Sequence, residues 1–186
     1  DIHAGTIIDP LNGASDLRAK VIRACSPTAL QDDPIRILRA IRQAAAFDFK
    51  IEIQTRKAMK AAAEHLPNVS PERQRDEVFK ILEGPKPDAS IRALEMLKVF
   101  PHIMSELTAM KGTTQSLPHI YDVWEHTLSV LRHLSGILAA LRVGYSAEET
   151  NDMFTGLLTL RLGRFREQFA AHFSESLNTD RSVRSA

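Results

Sequence analysis

Apolar residues along most of this chain recur at the three- and four-residue spacing of amphipathic helices. In residues 33–47, Ile37 and Ile41 lie on one apolar stripe, Asp33 is a typical N-cap and Pro34 a typical first helical residue. The pattern predicts further helices over residues 56–65, 71–83, 88–99, 121–142, 146–162 and 163–176, and a shorter one from Pro101. Such short helices with short loops are typical of an irregular helical bundle rather than a coiled coil.

The amino-terminal residues follow another pattern. A β-branched run ends at Pro10, Asn12-Gly13 is a strong turn signal, and residues 17–23 alternate between apolar and polar side chains. This predicts a β-hairpin, and because a single hairpin is marginally stable, its partner strands are expected upstream of Asp1, in a longer protein. The predicted fold class is therefore mainly α, an irregular helical bundle with a small β-hairpin remnant at the N-terminus.

Composition narrows the class of protein. The chain has 186 residues, 44% hydrophobic and 25% charged, which is typical of a soluble globular protein. Its net charge of +1 means that a nucleic acid would have to be bound by local clusters of Arg and Lys. The single cysteine, Cys25, excludes an internal disulfide framework and is typical of a reducing, cytoplasmic location. No apolar run approaches the roughly 18–20 residues of a membrane helix, so no membrane partner is expected.

The most distinctive stretch is residues 31–49, QDDPIRILRAIRQAAAFDF. It combines two adjacent carboxylates with a series of arginines at three-residue spacing: Asp32, Asp33, Arg36, Arg39 and Arg42. A carboxylate can accept a hydrogen bond from the exocyclic amine of a nucleobase, and a guanidinium can donate to ring acceptors. The ordinary alternative is an N-cap at Asp33 and an i,i+4 ion pair between Asp32 and Arg36, worth a few tenths of a kcal/mol.

The same stretch resembles the motif E-D-P-x-R-x-L-R-A-x-R-F-A-x-x-x-G-F of the class II tRNA nucleotidyltransferase (CCA-adding enzyme) and bacterial poly(A) polymerase family. The resemblance implies a nucleotide site in which Asp33 and Arg36 read the Watson–Crick edges of cytosine and adenine. It places Arg39 and Arg42 on the sugar–phosphate side. This chain departs from the motif with Asp32 for Glu, Gln43 for an aromatic residue and Asp48 for Gly.

Two further segments resemble motifs of that family in the same order. Residues 8–17, IDPLNGASDL, resemble its hinge motif I-D-P-x-x-G-x-x-D-L, and residues 69–77, VSPERQRDE, resemble its neck-stabilising motif S-x-E-R-x-x-x-E-L. The motif residues with an implied structural role are Asp9, Gly13, Asp16, Glu72, Arg73 and Glu77. Without the resemblance, the two segments are a hairpin turn and a capped helix with an i,i+4 pair between Arg73 and Glu77.

The resemblance also implies a division of the chain. Residues 1–26 would be the end of the nucleotidyltransferase head and the hinge. Residues 27–110 would be a helical neck and body that carries the base-recognition and RNA-binding helices, and residues 111–186 would be body and the start of an HD-like region. The polar loop at residues 111–119 is the internal boundary.

Catalysis in this family requires a G-G-x-x-R-D strand and a D-x-D carboxylate pair that hold Mg²⁺. Neither pattern occurs in this sequence, so no catalytic residue is assigned. The resemblance places the carboxylates and their Mg²⁺ upstream of Asp1, and this chain alone is expected to be inactive. In the intact protein the expected activity is the transfer of CMP and AMP from CTP and ATP, or of AMP alone, to the 3′ end of tRNA or another RNA.

Two other hypotheses remain open. Residues 119–132, HIYDVWEHTLSVLR, resemble the first helix of HD phosphohydrolase domains, which makes His126 a candidate metal ligand, although the His-Asp pair such a site needs does not follow. The chain could instead be a non-catalytic helical RNA-binding module. Candidate phosphate contacts are Lys57, Lys60, Lys80, Lys86, Arg92, Lys98, Arg161, Arg164 and Arg166.

Overall fold

The computed structural model describes residues 8–145 and 153–175, and helices account for most of them. In chain order the elements are α1 (Gly13–Arg18), β1 (Val21–Ile22), α2 (Ala29–Asp32), α3 (Arg36–Phe47), β2 (Lys50–Ile51), α4 (Ile53–Ala62), the 3₁₀ helix η1 (Ala63–Asn68), α5 (Pro71–Leu82), α6 (Pro87–Met96), α7 (Phe100–Ile103), α8 (Glu106–Ala109), α9 (Val123–Ala140), α10 (Met153–Leu162) and α11 (Phe165–Phe173). The predicted mainly α, irregular helical fold is confirmed.

The predicted β-hairpin is wrong, because Asn12-Gly13 begins a helix instead of a hairpin turn. Asn12 is in the left-handed conformation at φ 58°, and the Asp9 carboxylate accepts hydrogen bonds from the backbone N–H groups of Gly13 and Ala14 at 2.7 and 2.9 Å. These bonds satisfy two free N–H groups of the first turn and so start α1. Residues 1–7, which contain most of the first predicted strand, lie outside the described residues.

The small sheet is parallel and joins the amino-terminal segment to the region after α3. Val21 of β1 lies opposite Lys50 of β2, and Ile22 lies opposite Ile51. The Lys50 N–H donates to the Lys20 carbonyl at 2.8 Å. Among the described residues, β1 therefore takes its partner strand from the other end of the α2–α3 segment.

The start of α3 also differs from the prediction. Its first helical residue is Arg36 and Ile35 is at the N-cap position, whereas Asp33 is extended, with φ −145° and ψ 91°. The following Pro34 explains this conformation, because proline disfavours the helical region for the residue before it. An N-cap residue is also extended, but α3 begins three residues after Asp33, and the bonds of the Asp33 carboxylate go to a residue outside the helix.

The chain divides into two compact units, residues 1–126 and 127–186. In the first unit α3 packs against α5 and α6, and η1 packs against α4 and α7. The largest fully buried side chains all belong to this core: Ile35, Ile37, Leu38, Met59, Leu66, Ile81, Leu94, Val99 and Phe100. Burying one such side chain contributes about 1.5–3 kcal/mol, so this core holds the α3–α5 pair that carries the polar residues described below.

The second unit contains most of α9 together with α10 and α11. Ala140, Thr155 and Ala170 are buried in it, and the Arg166 guanidinium donates to the Ala140 carbonyl at 3.3 Å. The helix predicted over residues 146–162 is observed as α10, and residues 146–152 lie outside the described residues. None of the helices in the described part of the chain has the length and apolar character needed to cross a membrane.

Two carboxylates fix the start of α9 within the first unit. Asp122 accepts from the backbone N–H groups of Glu125 and Gly112, both at 2.8 Å, and these bonds hold the pKa of Asp122 below its usual value. Glu125 accepts both terminal nitrogens of the Arg92 guanidinium at 2.8 Å, which likewise lowers the pKa of Glu125. Trp124 lies between them, buried, with its ring 6.0 Å from that of Phe100.

We therefore expect the start of α9 to detach in acid. Because both pKa values are lowered by folding, the stabilisation is fully present above the unfolded values of about 4 and is lost as the pH falls through the lower folded values. Fluorescence of Trp124, the single tryptophan, should report this change. Removing the guanidinium with Arg92→Ala should raise the midpoint, whereas Arg75→Ala, which breaks an ion pair with Asp76, should not. Equal midpoints in Arg92→Ala and wild type would rule out this explanation.

Candidate nucleotide-binding site

Asp33 and Arg36 lie within one turn at the junction of α2 and α3. The Arg36 N–H donates to the Asp33 carbonyl oxygen at 3.1 Å. The Arg36 side chain is exposed, and its Nη1 donates to the Ala29 carbonyl at 2.9 Å. Among the described residues its other guanidinium N–H groups have no partner, so Arg36 is anchored at one end and can donate to a ligand at the other.

Arg73 holds the Asp33 carboxylate from the neighbouring helix. Its Nη2 lies 3.0 Å from both Oδ1 and Oδ2 of Asp33, in a contact that spans 40 residues of sequence. The i,i+4 pair expected between Arg73 and Glu77 is replaced by this longer-range one. Asp32, the other acidic residue of the predicted site, accepts instead from the Thr28 hydroxyl at 3.0 Å. The structure thus brings Asp33 and the neck-motif arginine together and leaves Asp32 at the exposed end of α2.

Arg39 and Arg42 both point to Glu77 of α5. Their Nε atoms lie 3.1 and 2.9 Å from the two carboxylate oxygens of Glu77, whose side chain is only 5% exposed. This arrangement explains the lack of acidic residues on α3, because the counter-charge comes from α5. The two arginines expected on the sugar–phosphate side of a nucleotide are therefore already used to join α3 to α5.

A cleft of about 390 Å³ opens beside the Asp33–Arg73 pair. Besides this pair it is lined by Gln31, Asp32, Pro34, His65, Asn68, Val69 and Ser70. The far wall is held by Gln74, whose side-chain amide donates to the carbonyls of Leu66 and Val69 at 3.0 and 2.8 Å. The sequence pattern did not identify His65 and Asn68 as site residues, because they belong to an irregular 3₁₀ segment with no periodic signal.

The hinge-motif residues form a separate polar network. Asp16 accepts from Nε and Nη2 of Arg23 at 2.9 and 3.1 Å, which lowers the pKa of Asp16. Arg23 also reaches Glu52 at 3.4 Å, and Glu52 accepts from the backbone and hydroxyl of Thr55. The three motif residues Asp9, Gly13 and Asp16 thus build α1 and connect it to α4. Glu72, of the neck motif, is exposed in the first turn of α5.

His126, the candidate metal ligand, has one histidine neighbour, with the rings of His119 and His126 5.3 Å apart and edge-on. The nearby Asp122 carboxylate is used by backbone N–H groups, as described above. Across residues 8–145 and 153–175, no group of three His, Cys, Asp or Glu side chains is placed to hold a metal ion.

Known proteins are similar to this chain in sequence and in fold. A family model described as the probable RNA- and SrmB-binding site of polymerase A matches residues 48–111. An A-adding tRNA nucleotidyltransferase of Deinococcus radiodurans is 35% identical over 133 residues, which are 69% of this chain and 31% of that protein. A CC-adding tRNA nucleotidyltransferase of Geobacter sulfurreducens is 48% identical over 79 residues, which are 42% of this chain and 18% of that protein.

Solved structures agree with these relatives. A CCA-adding enzyme in complex with CTP superposes with a TM-score of 0.55 at 28% identity, covering 89% of this chain and 39% of that one. A tRNA nucleotidyltransferase complexed with a primer tRNA and an incoming ATP analogue gives a TM-score of 0.58 at 25% identity, covering 90% of this chain and 47% of that one.

In fold and in sequence, the chain is similar to parts of these nucleotidyltransferases. The chain is a relative of the tRNA nucleotidyltransferases, as its three sequence motifs predicted. It spans about a third of the length of the curated relatives that it matches most extensively.

Proposed function

We propose that this chain is the base-reading and RNA-binding part of an enzyme that transfers CMP and AMP, or AMP alone, from CTP and ATP to the 3′ end of tRNA. The observation that carries the proposal is the turn at the start of α3, in which a partly exposed Asp33 carboxylate and an exposed Arg36 guanidinium lie three residues apart. Relatives named for A addition, CC addition and multifunctional CCA activity, and similar structures bound to CTP, ATP or primer tRNA, support it.

The chemistry of the turn accounts for a choice of C and A. Cytosine and adenine both carry an exocyclic amine next to a ring acceptor, so Asp33 can accept from the amine while Arg36 donates to the ring nitrogen. Uracil and guanine carry a carbonyl at the position of the amine, which faces the carboxylate unfavourably. One good bidentate contact of this kind is worth about 1–3 kcal/mol of discrimination.

A basic face on α4 suits the RNA backbone. Arg56, Lys57 and Lys60 are exposed, and no acidic residue occurs between Ile53 and Ala62. Contacts of this type go mainly to phosphates, so they add affinity without base preference and weaken steeply with salt. In this proposal α4 holds the RNA, and the turn at Asp33 and Arg36 selects the nucleotide.

The Mg²⁺ that such transfer needs is not assigned to this chain. Nucleotidyl transfer requires clustered carboxylates, whereas Asp32, Asp33 and Glu77 are not grouped with other acidic, His or Cys side chains of the described residues in a way that could hold a metal ion. These residues do not fit a metal centre. The proposal therefore assigns the metal-binding carboxylates to none of the residues that the structure describes.

The test is nucleotide incorporation by the full-length protein that contains this chain, with tRNA lacking its 3′ CCA, Mg²⁺ and each of the four nucleoside triphosphates in turn. We expect incorporation of C and A only, or of A only, and a loss of this selectivity in Asp33→Ala. Asp76→Ala, which removes an exposed carboxylate paired with Arg75, is the matched control and should keep the wild-type nucleotide selectivity.

Incorporation of all four nucleotides by the wild type, or selectivity that survives Asp33→Ala, would contradict base reading by this turn. Salt-sensitive tRNA binding with no incorporation at all would instead favour a non-catalytic RNA-binding module.

A further inference from the structure

We propose that Arg73 is a specificity-determining positioning residue, which sets the orientation of the Asp33 carboxylate and thereby the rejection of uracil and guanine. This inference rests on the proposed function, because it concerns how the same turn chooses a base. It assigns to a residue of the neck motif a role beyond joining helices.

The geometry of the Asp33–Arg73 pair carries the inference. A single nitrogen, Nη2, lies 3.0 Å from each carboxylate oxygen, so it bridges them and holds the group in one place at the edge of the cleft. Asp33 lies in an extended turn between α2 and α3, and its side chain has no other partner among the described residues. Its orientation is therefore set from α5 alone. A carboxylate offers about four lone-pair positions, so the bridge leaves others for a base amine.

Arg73 can act as a fixed point because its own helix is held in place. Four residues further along α5, the buried Glu77 binds Arg39 and Arg42 of α3. The intervening Gln74 donates to the carbonyls of Leu66 and Val69. The turn of α5 that follows Arg73 is thus held at two points, and Arg73 itself is half-exposed at the edge of the cleft.

Orientation matters because the discrimination depends on a repulsion. A carboxylate held in one place meets the carbonyl of uracil or guanine with a lone pair, because the side chain cannot swing away from it. Without Arg73, the Asp33 side chain can rotate towards solvent, so the amine contact weakens and the carbonyl clash disappears. We therefore expect Arg73→Ala to lower kcat/KM for CTP and to raise the ratio of kcat/KM for UTP to kcat/KM for CTP.

The experiment measures the ratio of kcat/KM for CTP to that for UTP in the full-length protein. Arg73→Ala should reduce this ratio by about tenfold, the lower part of the range for one bidentate base contact. Arg73→Lys, which keeps one charged donor, should recover part of it. Arg75→Ala is the matched control, because Arg75 is an exposed arginine of the same helix paired with its neighbour Asp76. The ratio is independent of the fraction of folded enzyme, so a general loss of stability cannot imitate the result.

A second comparison uses Asp33→Ala as the background. If Arg73 acts through Asp33, adding Arg73→Ala there should leave the CTP to UTP ratio unchanged. A selective wild type with an equally selective Arg73→Ala variant would overturn this inference alone. A wild type that incorporates nucleotides without selectivity, or incorporates none, would overturn the proposed function and this inference with it.

Discussion

Replacing both Arg39 and Arg42 by alanine should destabilise the first unit by about 3–5 kcal/mol, the usual cost of leaving a buried charge without its partner. Glu77 is 5% exposed, and each of its oxygens accepts from one of these arginines. Either single substitution should cost much less, because the other arginine still pairs with the carboxylate and is itself partly exposed. The two effects should therefore be strongly non-additive.

Urea unfolding followed by circular dichroism and by Trp124 fluorescence measures this free energy. The informative control is to add Glu77→Gln to the double variant, which removes the buried charge and should restore about half of the lost stability or more. Arg56→Ala/Lys57→Ala removes two exposed cations of α4 and should change stability by about 0.5 kcal/mol or less. A double variant of Arg39 and Arg42 that unfolds within 1 kcal/mol of wild type would show that water satisfies Glu77.

Arg36→Ala should lower kcat/KM for both CTP and ATP by about 10–100-fold, since it removes the donor to a ring nitrogen that the two bases share. Its effect on folding should be small, because the side chain is exposed and its bond within the protein is one contact to the Ala29 carbonyl. The affinity for tRNA should stay near that of wild type, because the guanidinium is assigned to the nucleotide and not to the RNA.

The measurement pairs single-turnover incorporation with tRNA binding at two salt concentrations. The complementary variant, Lys57→Ala/Lys60→Ala, should weaken tRNA binding and reduce its salt dependence while the CTP to UTP ratio stays constant. A parallel loss of tRNA affinity and incorporation in Arg36→Ala would place Arg36 on the RNA surface instead.

Local sequence signals predicted the helices well where they agreed with one another. Ser70-Pro71 and Gly84 bracket α5, and the observed helix, Pro71–Leu82, ends one residue before the predicted end. The same signals misled at Asp33, because α3 begins three residues later and the carboxylate binds Arg73 of α5 instead of capping the helix. They also misled at Asn12-Gly13, because this pair of residues suits both a hairpin turn and the start of a helix. The bonds from the Gly13 and Ala14 N–H groups to the Asp9 carboxylate favour the helix.

The candidate site was predicted in part. The motifs identified Asp33, Arg36, Arg73 and Glu77 in separate segments, but a one-dimensional pattern contains only neighbours at i+3 and i+4. It therefore assigned Glu77 to Arg73, whereas folding pairs Glu77 with residues 35 and 38 positions earlier. The pairing of Glu77 was predicted wrongly because the packing of α3 on α5 determines which charged residues meet, and local sequence spacing does not contain that packing.

The charges that join α3 to α5 also encode the alignment of the two segments. Reading along the chain, the first segment presents acid then base at Asp33 and Arg39, and the second presents base then acid at Arg73 and Glu77. Sliding one helix past the other by a turn would set arginine against arginine, so only one offset satisfies every charge. A reversal of sign at Glu77 should therefore be tolerated only when Arg39 and Arg42 are reversed with it, so these three positions should change together and not independently.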